Sequence, residues 1–301
     1  MAADPTGHRF TIRSGDTFAE ISQVGAALRA FAVGEVDIVP RYPDGIPTPA
    51  ASGIVLVPWP NRVRDGLWTQ RGQTRQLAIT EPKYNNASHG LLRFAPYTLI
   101  AETVDSVTLG AELVPQTGYP FHLATEVEYR ASDGELHVTH RIRNVGRQEA
   151  PVALGTHPYF CVGDVATADL TIQLDANTRY EVDERMLPIG QGPVDAATDL
   201  RRPRRLGDVS LDTAYGQVAR DSEDRIGAVL TAPDGRTVDV WAGTGFVHLQ
   251  VFTTDRYPGQ DLAVAIEPMT APADAFNSGQ GLRWLPPDEQ WLLEWGVRYT
   301  A

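Results

Sequence analysis

One carboxylate, Glu267, follows the apolar run Ala-Val-Ala-Ile and directly precedes Pro268. Glutamate is almost never fully buried unless it is paired, and proline cannot donate a hydrogen bond to a neighbouring strand. We therefore expect a strand to end here and to deliver Glu267 to a cleft, where it could act as a base. A structural ion pair with an arginine is the alternative, and this stretch alone slightly favours it.

Two histidines have turn-forming neighbours beside apolar residues. His89 precedes Gly90, and His157 precedes Pro158. Glycine allows backbone and ligand to approach closely, and proline favours an extended backbone in the residue before it. Each histidine alone is more often a hydrogen-bonded structural residue. The two together with Glu267 make a functional site plausible.

A third polar cluster follows a short apolar run that begins at residue 54. In this cluster Trp59 offers a stacking surface, Asn61 an amide and Arg62 a planar donor. Sugar hydroxyls donate and accept hydrogen bonds, so amide and guanidinium groups beside an aromatic ring suit a polyhydroxylated ligand. A core tryptophan beside an arginine in a surface ion pair explains the same residues about equally well.

Other kinds of site have little support. His137 and His140 would share a face of a helix, but on a strand residues three apart point to opposite faces, which disfavours a metal pair. His140 then belongs to the apolar face and His137 to the polar face. The phosphate-binding patterns Gly-x-x-x-x-Gly-Lys-Ser/Thr and Gly-x-Gly-x-x-Gly are absent, as is the Gly-x-Ser-x-Gly elbow of serine hydrolases.

The composition narrows the class of protein. The 301 residues carry a formal net charge of −12 at pH 7, which disfavours nucleic acid and anionic membrane surfaces as partners. The basic run at 201–205 lies in a stretch rich in Pro, Asp and Gly, so we expect a solvated loop there. Cys161 is the single cysteine, and no signal-peptide or membrane-spanning pattern is found. These features predict a cytoplasmic protein.

Alternating apolar and polar residues predict strands as the main element. Two hairpins are expected, with turns at 133–134 and 233–235. Other predicted strands cover 9–14, 20–31, 246–253, 262–266 and 291–299, whereas 183–212 lacks a pattern and predicts mostly loop. Many short strands, separated by turns that draw on 27 glycines and 22 prolines, indicate a large antiparallel β-sandwich.

In order and spacing, four motifs resemble those of the aldose 1-epimerase (mutarotase) family. They are Val-Pro-Trp-Pro-Asn61-Arg62, Ser-His89-Gly90, Gly-Thr-His157-Pro-Tyr-Phe and Ala-Ile-Glu267-Pro-Met-Thr, the last followed by Asp274-Ala-Phe-Asn277. The resemblance runs from about residue 53 to the C-terminal strand and is strongest to the branch with Pro-Trp-Pro-Asn-Arg and Glu-Pro-Met-Thr. Each motif alone is weak, but the ordered set is specific.

The resemblance implies an all-β fold, a large antiparallel β-supersandwich of the galactose mutarotase-like type, as one domain over residues 1–301. It implies no metal and no cofactor, with Glu267 as general base and His157 as general acid. The expected substrate-binding residues are Arg62, His89, Asn61 and Asp212. Galactose mutarotases carry Asn before and Ser after the acid histidine, whereas this chain has Thr156 and Pro158, so the sugar stays open.

The predicted function is that of an isomerase, which interconverts the α and β anomers of a free aldose by general acid–base ring opening and reclosure. One alternative is a non-catalytic carbohydrate-binding protein on the same fold. Another is a glycoside hydrolase or lyase with Asp212 or Asp274 as a second carboxylate. The expected partner is a monosaccharide, whether neutral, acidic, deoxy or phosphorylated, and the sequence is compatible with a monomer or a homodimer.

Overall fold

The computed structural model describes residues 3–301, and strands make up most of its regular structure. The strands of the first half are β1 (Arg9–Ser14), β2 (Thr17–Ser22), β3 (Ala27–Val33), β4 (Val36–Val39), β5 (Val55–Leu56), β6 (Arg62–Arg64), β7 (Leu67–Gln70), β8 (Gln73–Gln76), β9 (Asn86–Ser88), β10 (Thr98–Glu102), β11 (Ser106–Leu113), β12 (Leu123–Ser132), β13 (Glu135–Asn144) and β14 (Ala150–Val152).

The strands of the second half are β15 (Gly155–Thr156), β16 (Tyr159–Phe160), β17 (Thr171–Gln173), β18 (Ala176–Val182), β19 (Pro188–Pro193), β20 (Arg204–Arg205), β21 (Asp212–Val218), β22 (Ile226–Thr231), β23 (Thr237–Ala242), β24 (His248–Thr254), β25 (Ala263–Met269), β26 (Arg283–Leu285) and β27 (Gln290–Thr300). The helical elements are α1 (Ala275–Ser278) and 3-10 turns at Pro49–Ala51, Thr167–Asp169 and Leu206–Asp208. None of the helices in the described part of the chain has the length and apolar character that crossing a membrane requires.

The largest sheet has nine antiparallel strands in the order β10-β11-β12-β13-β27-β23-β22-β17-β20. Both predicted hairpins, β12 with β13 and β22 with β23, belong to it. The faces predicted for the two histidines of β13 are confirmed. His140 is fully buried and its Nε2 accepts a hydrogen bond from Trp295 Nε1 at 3.0 Å, whereas His137 is partly exposed.

The second large sheet follows the path β19-β18-β21-β24-β25-β15-β5, and β16 also pairs with β25. Its strands β24 and β25 place Val251 directly opposite Ile266, and both residues are fully buried in the core. Directly opposite residues share a face of a sheet, and the next residues along each strand point to the other face. Polar residues between these apolar ones therefore face away from the core.

Both large sheets contribute to one apolar core, which contains Val127 and Val240 of the nine-stranded sheet and Val251 and Ile266 of the other. Two antiparallel sheets that bury their inner faces against each other form a β-sandwich. The N-terminal strands β1 to β4 form a further small sheet, and residues of β1 and β2 join the same core. The prediction of an all-β antiparallel sandwich is confirmed.

Two predicted elements differ from the structure. Residues 20–31 form parts of β2 and β3 rather than one strand, because Gly25 and Ala26 have φ values of +70° and +46°, which interrupt an extended chain. The prediction of a mostly loop segment at 183–212 missed β19, which pairs with β18 at the end of its sheet. Prolines and glycines make up four of the six residues of β19, so no alternating pattern marks it.

Candidate active site

Glu267 shares one face of the second sheet with two other polar residues. Gln250 of β24 lies directly opposite Glu267 of β25, and Asp212 of β21 lies directly opposite Phe252 of β24. Residues that are opposite in register share a face, as do residues two apart on one strand. Asp212, Gln250 and Glu267 therefore project from neighbouring strands into the same space, on the side away from the core.

The strand that carries this carboxylate continues to Met269, so the prediction that it ends before Pro268 was wrong. The backbone N–H groups of Ile266 and Thr270 donate to carbonyls of the segment 154–158, at 3.3 and 2.8 Å. Backbone N–H groups alternate between the two sides of a strand, so the nitrogen of residue 268 faces the gap between these two bonds. Proline at this position therefore costs no sheet hydrogen bond.

His157 lies in the connection opposite this gap. The connection joins β15 and β16, and both of these short strands pair with β25. The Nε2 atom of His157 is 3.4 Å from Oε1 of Glu267, and the two side chains are 7% and 3% exposed. The break between β15 and β16 thus places the imidazole of His157 beside the carboxyl group of Glu267 on β25. Both groups are shielded from bulk water.

His89 reaches the same space from the turn after β9, which pairs with β6. Its N–H donates to the carbonyl of Asn61 at 2.8 Å, and both residues have positive φ, +63° for His89 and +56° for Asn61. A Cβ at Gly90 would lie 2.1 Å from the carbonyl oxygen of Val57, so the turn requires glycine. The rings of His89 and His157 are nearly perpendicular, with centroids 5.5 Å apart.

Arg62 is held by a carboxylate that the sequence did not indicate. Its Nε and Nη2 atoms donate to the two oxygens of Glu81 at 2.8 and 3.0 Å, and its Nη1 atom donates to Oδ1 of Asn61 at 3.2 Å. Burial opposes the charge of Arg62, but the hydrogen bonds and charge of Glu81 outweigh it and raise the pKa of the guanidinium. Arg62 therefore forms an ion pair, as the alternative interpretation expected, but this pair is mostly buried rather than on the surface, and the guanidinium faces the candidate site.

Trp59 is the core tryptophan of the second of the two interpretations and cannot serve as a stacking surface. It is 2% exposed and packs against Phe276, with ring centroids 5.1 Å apart. The aromatic side chains that border the site are Phe94 and Phe252, of which Phe94 is 69% exposed. Their positions in sequence gave no signal, because one lies in an irregular loop and the other in a strand of mixed pattern.

Asp212 accepts a hydrogen bond from Nε2 of Gln250 at 2.5 Å. Burial raises the pKa of Asp212, although the charge of Arg62 and the bond from Gln250 reduce this effect. Gln250 was not foreseen as a site residue. Its register opposite Glu267 places it at the site, because residues opposite a site carboxylate share its face, and the sequence alone does not reveal this register.

These elements enclose a cavity of about 540 Å³, a size typical of small-molecule sites. All residues predicted for the site line it, namely Asn61, Arg62, His89, His157, Asp212 and Glu267. Glu81, Arg93, Gln250 and Arg256 line it as well and were not predicted. The strands and turns described above thus bring together residues as far apart in the chain as Asn61 and Glu267.

Burial governs the charge of the central pair. It raises the pKa of the Glu267 carboxyl well above its ordinary value, and the negative charge of Asp212 adds to this rise. It lowers the pKa of His157 to about 4, with a further contribution from the charges of Arg93 and Arg62. A protonated carboxyl and a neutral imidazole are favoured. This neutral pair holds one proton, the same number as an ion pair of carboxylate and imidazolium.

Five buried polar atoms of the residues that line the cavity have no hydrogen-bond partner within residues 3–301. They are Oε2 of Glu267, the Nδ1 atoms of His89 and His157, Nε of Arg93 and Oγ1 of Thr48. Leaving a buried polar atom unpaired costs about 1–3 kcal/mol. Burial, followed by the charge of His157, also lowers the pKa of His89 well below its ordinary value, so its neutral ring can both donate and accept. These atoms suit a ligand whose hydroxyl groups do both.

Asp274, considered as a second carboxylate, does not line the cavity. Its Oδ1 atom accepts from the N–H of Arg64 at 3.0 Å and from Nδ2 of Asn277 at 2.8 Å, so its role is to fix the turn before α1. Within residues 3–301, no three or more His, Cys, Asp or Glu side chains are grouped so that they could hold a metal ion. The groups that line the cavity can transfer protons and form hydrogen bonds.

The two-sheet architecture is that of galactose mutarotase-like proteins of known structure. The sequence model of the aldose 1-epimerase family matches residues 8–298. The chain therefore belongs to the aldose 1-epimerase family.

Individual relatives agree with this assignment. The uncharacterized protein YihR of Escherichia coli K12 is 34% identical over 278 residues, which cover 91% of this chain and 87% of that protein. A galactose mutarotase-like protein from Clostridium acetobutylicum superimposes with a TM-score of 0.86 at 18% identity, covering 97% of this chain and 94% of the other. Galactose 1-epimerase from Lactobacillus acidophilus NCFM gives a TM-score of 0.81 at 19% identity, with the same coverage of 97% and 94%. At these identities the two structures establish the fold, which confirms the expected supersandwich.

Proposed function

We propose that this protein is an isomerase that interconverts the α and β anomers of a free aldose by general acid–base catalysis. The observation that carries the proposal is the buried pair of Glu267 and His157, with Oε1 and Nε2 3.4 Å apart on the wall of a cavity of sugar size. Membership of the aldose 1-epimerase family supports the same reaction class.

The reaction needs one base and one acid. A proton leaves the hydroxyl on C1 while another is delivered to the ring oxygen, the bond between C1 and the ring oxygen breaks, and an open-chain aldehyde forms. Rotation about the bond between C1 and C2 presents the other face of the carbonyl, and the ring closes with the protons returned. Each positioned proton transfer contributes about 10² to 10⁴ in rate.

In this scheme Glu267 accepts the proton of the C1 hydroxyl and His157 donates to the ring oxygen. The open-chain state then leaves a protonated carboxyl and a neutral imidazole, which is the protonation state that burial favours. The reactive form is the ion pair of carboxylate and imidazolium, which the neutral pair reaches when its one proton passes from Glu267 to His157 across 3.4 Å. Burial therefore favours the neutral pair that ring opening restores over the ion pair that performs it. Reclosure on the other face of C1 uses the same two groups in reverse.

The remaining predicted residues would hold the hydroxyl groups away from C1. Arg62, with its charge balanced by Glu81, and Asn61 present planar donors and an amide oxygen. His89 and Asp212 present a neutral imidazole and a carboxyl that Gln250 orients. Contacts to hydroxyl groups away from C1 have the same energy for both anomers. They hold the rest of the sugar while C1 remains free to turn.

Polarimetry tests the proposal. Freshly dissolved α-D-glucose or α-D-galactose should approach its final optical rotation faster with the protein than without it, and Glu267→Gln should abolish the acceleration. NMR can also measure the rate of anomer exchange in other aldoses. If the protein binds a sugar but accelerates anomer exchange in none of them, the proposal is contradicted and a binding protein is favoured. Release of reducing ends from an oligosaccharide would contradict it in favour of a hydrolase.

A further inference from the structure

The cavity contains two arginines whose charge is not balanced by a carboxylate. Arg62 forms its ion pair with Glu81. Within residues 3–301, neither Arg93 nor Arg256 forms an ion pair, although both line the same cavity. Arg256 is exposed, whereas Arg93 is partly buried, and a partly buried guanidinium without a carboxylate partner is unexpected unless the ligand supplies the anion.

Arg93 is held in an environment that disfavours its charge. Burial lowers the pKa of its guanidinium, and only the charge of Glu81 opposes this effect. The Nε atom is buried and has no hydrogen-bond partner among the residues that the structure describes. A partly buried charge without a partner is costly, and an anionic group that accepts from the guanidinium removes that cost.

The two arginines reach the cavity from different elements. Arg93 lies in the loop that follows His89, with its guanidinium carbon 4.6 Å from the ring centroid of Phe94. Its charge also lowers the pKa of His157, so it acts on the reactive end of the cavity. Arg256 lies just after the end of β24, where its N–H donates to Oγ1 of Thr254 at 3.1 Å. A ligand in the cavity can therefore meet cations from two elements.

The carboxylates of the cavity pair with other groups. They are Glu81, Asp212 and Glu267, and the first is paired with Arg62. Asp212 accepts a hydrogen bond from Gln250, and Oε1 of Glu267 lies 3.4 Å from Nε2 of His157. Within residues 3–301, no carboxylate therefore pairs with Arg93 or Arg256, and an anionic group of a ligand can accept hydrogen bonds from them.

We propose that the substrate is an aldose with an anionic substituent away from C1, a carboxylate, phosphate or sulfo group, which Arg93 and Arg256 bind. This inference rests on the proposed function and names its substrate class. Guanidinium groups match planar carboxylates and tetrahedral oxyanions through paired N–H donors, and such bonds are stronger than those to neutral hydroxyls. Sugars with the anion at C1 are not substrates, because anomer exchange needs a free C1 hydroxyl.

The test compares kcat/KM for D-glucose with kcat/KM for D-glucuronic acid, D-glucose 6-phosphate and D-glucose 6-sulfate, by NMR anomer exchange with the uncatalysed rate subtracted. At least one anionic sugar should exceed D-glucose by about tenfold or more, as expected for one charge-assisted contact. Arg93→Gln and Arg256→Gln should each reduce this ratio, Arg93→Lys should retain part of it, and added salt should lower it. Arg147→Gln, an exposed arginine without an ion pair in residues 3–301, is the matched control.

The outcomes separate this inference from the proposed function. Acceleration of D-glucose with no preference for any of the three anions overturns the inference and leaves the isomerase intact. A preference that survives both Arg93→Gln and Arg256→Gln overturns the assignment of the two arginines. Binding of an anionic sugar that Arg93→Gln abolishes, without acceleration of any anomer exchange, supports the anion site and contradicts the isomerase.

Discussion

Oε1 of Glu267 and Nε2 of His157 lie 3.4 Å apart, and both side chains are almost fully buried. Their separation is set by the backbone of the sheet. Glu267 is fixed in β25, and His157 lies in the short connection between β15 and β16, which both pair with β25. A strand holds the carboxyl group, and pairing on both sides of the connection holds the imidazole, so this pair is preorganised for proton transfer.

Removal of either group should impair catalysis while the fold persists. Glu267→Gln and His157→Asn keep most of the side-chain volume and are expected to lower kcat at least about tenfold, since each deletes one positioned proton transfer. The rate of anomer exchange, measured by polarimetry, checks this. Glu35→Gln and His122→Asn are matched changes of exposed or half-exposed residues and should leave kcat unchanged. Turnover close to that of the wild type in either site variant would refute the assignment.

The pH dependence of kcat/KM should not follow an ordinary histidine. Because burial lowers the pKa of His157 to about 4 and raises that of Glu267, the pair keeps one proton across the range between these values. Below this pH range the pair gains a second proton and loses its base. Above this range the pair loses its last proton and therefore its acid. We therefore expect the acid limb of kcat/KM near pH 4, the pKa of His157, and no loss of activity centred on the ordinary histidine pKa of about 6.5. A halving of activity near that ordinary value would contradict the assignment.

The buried carboxyl should also reduce stability at higher pH. The pKa of Glu267 is raised in the folded protein, so its stabilising contribution is present below the unfolded value of about 4.3 and is lost as pH rises toward the folded value. Glutamine cannot titrate. The variant Glu267→Gln should therefore have a higher Tm than the wild type, and calorimetry should find a larger difference at about pH 8 than at about pH 5. The difference in the free energy of unfolding should grow by up to about 1.4 kcal/mol for each pH unit, up to the folded pKa. An equal difference at both pH values would argue against the raised pKa.

Much of the fold follows from local patterns in the sequence. Period-2 alternation identified β12 and β13, because one face of each strand packs on the core and the other meets solvent. It could not identify β19, whose prolines and glycines carry no alternation. It also joined β2 to β3, because apolar residues continue through a turn that only the positive φ values of Gly25 and Ala26 reveal.

The candidate site divides in a similar way. Glu267 and His157 could be found from sequence, because each sits beside a proline or a turn former in an apolar context. Glu81, Gln250 and Arg93 could not, because their membership depends on strand register and on where an irregular loop returns. A single sequence contains no record of which distant residues lie opposite each other.

Arg62 and Glu81 act as a unit, which yields the last prediction. Arg62→Ala should raise KM more than it lowers kcat, because a contact to a hydroxyl away from C1 is equal in the ground and transition states. Glu81→Gln removes the charge that Arg62 contacts through two hydrogen bonds, so it should raise KM in the same direction but by less. The double variant should bind substrate no worse than Arg62→Ala, because Glu81 would act only through the arginine. Additive losses, with Arg283→Ala of an exposed ion pair as the neutral control, would instead show that Glu81 contacts the sugar itself.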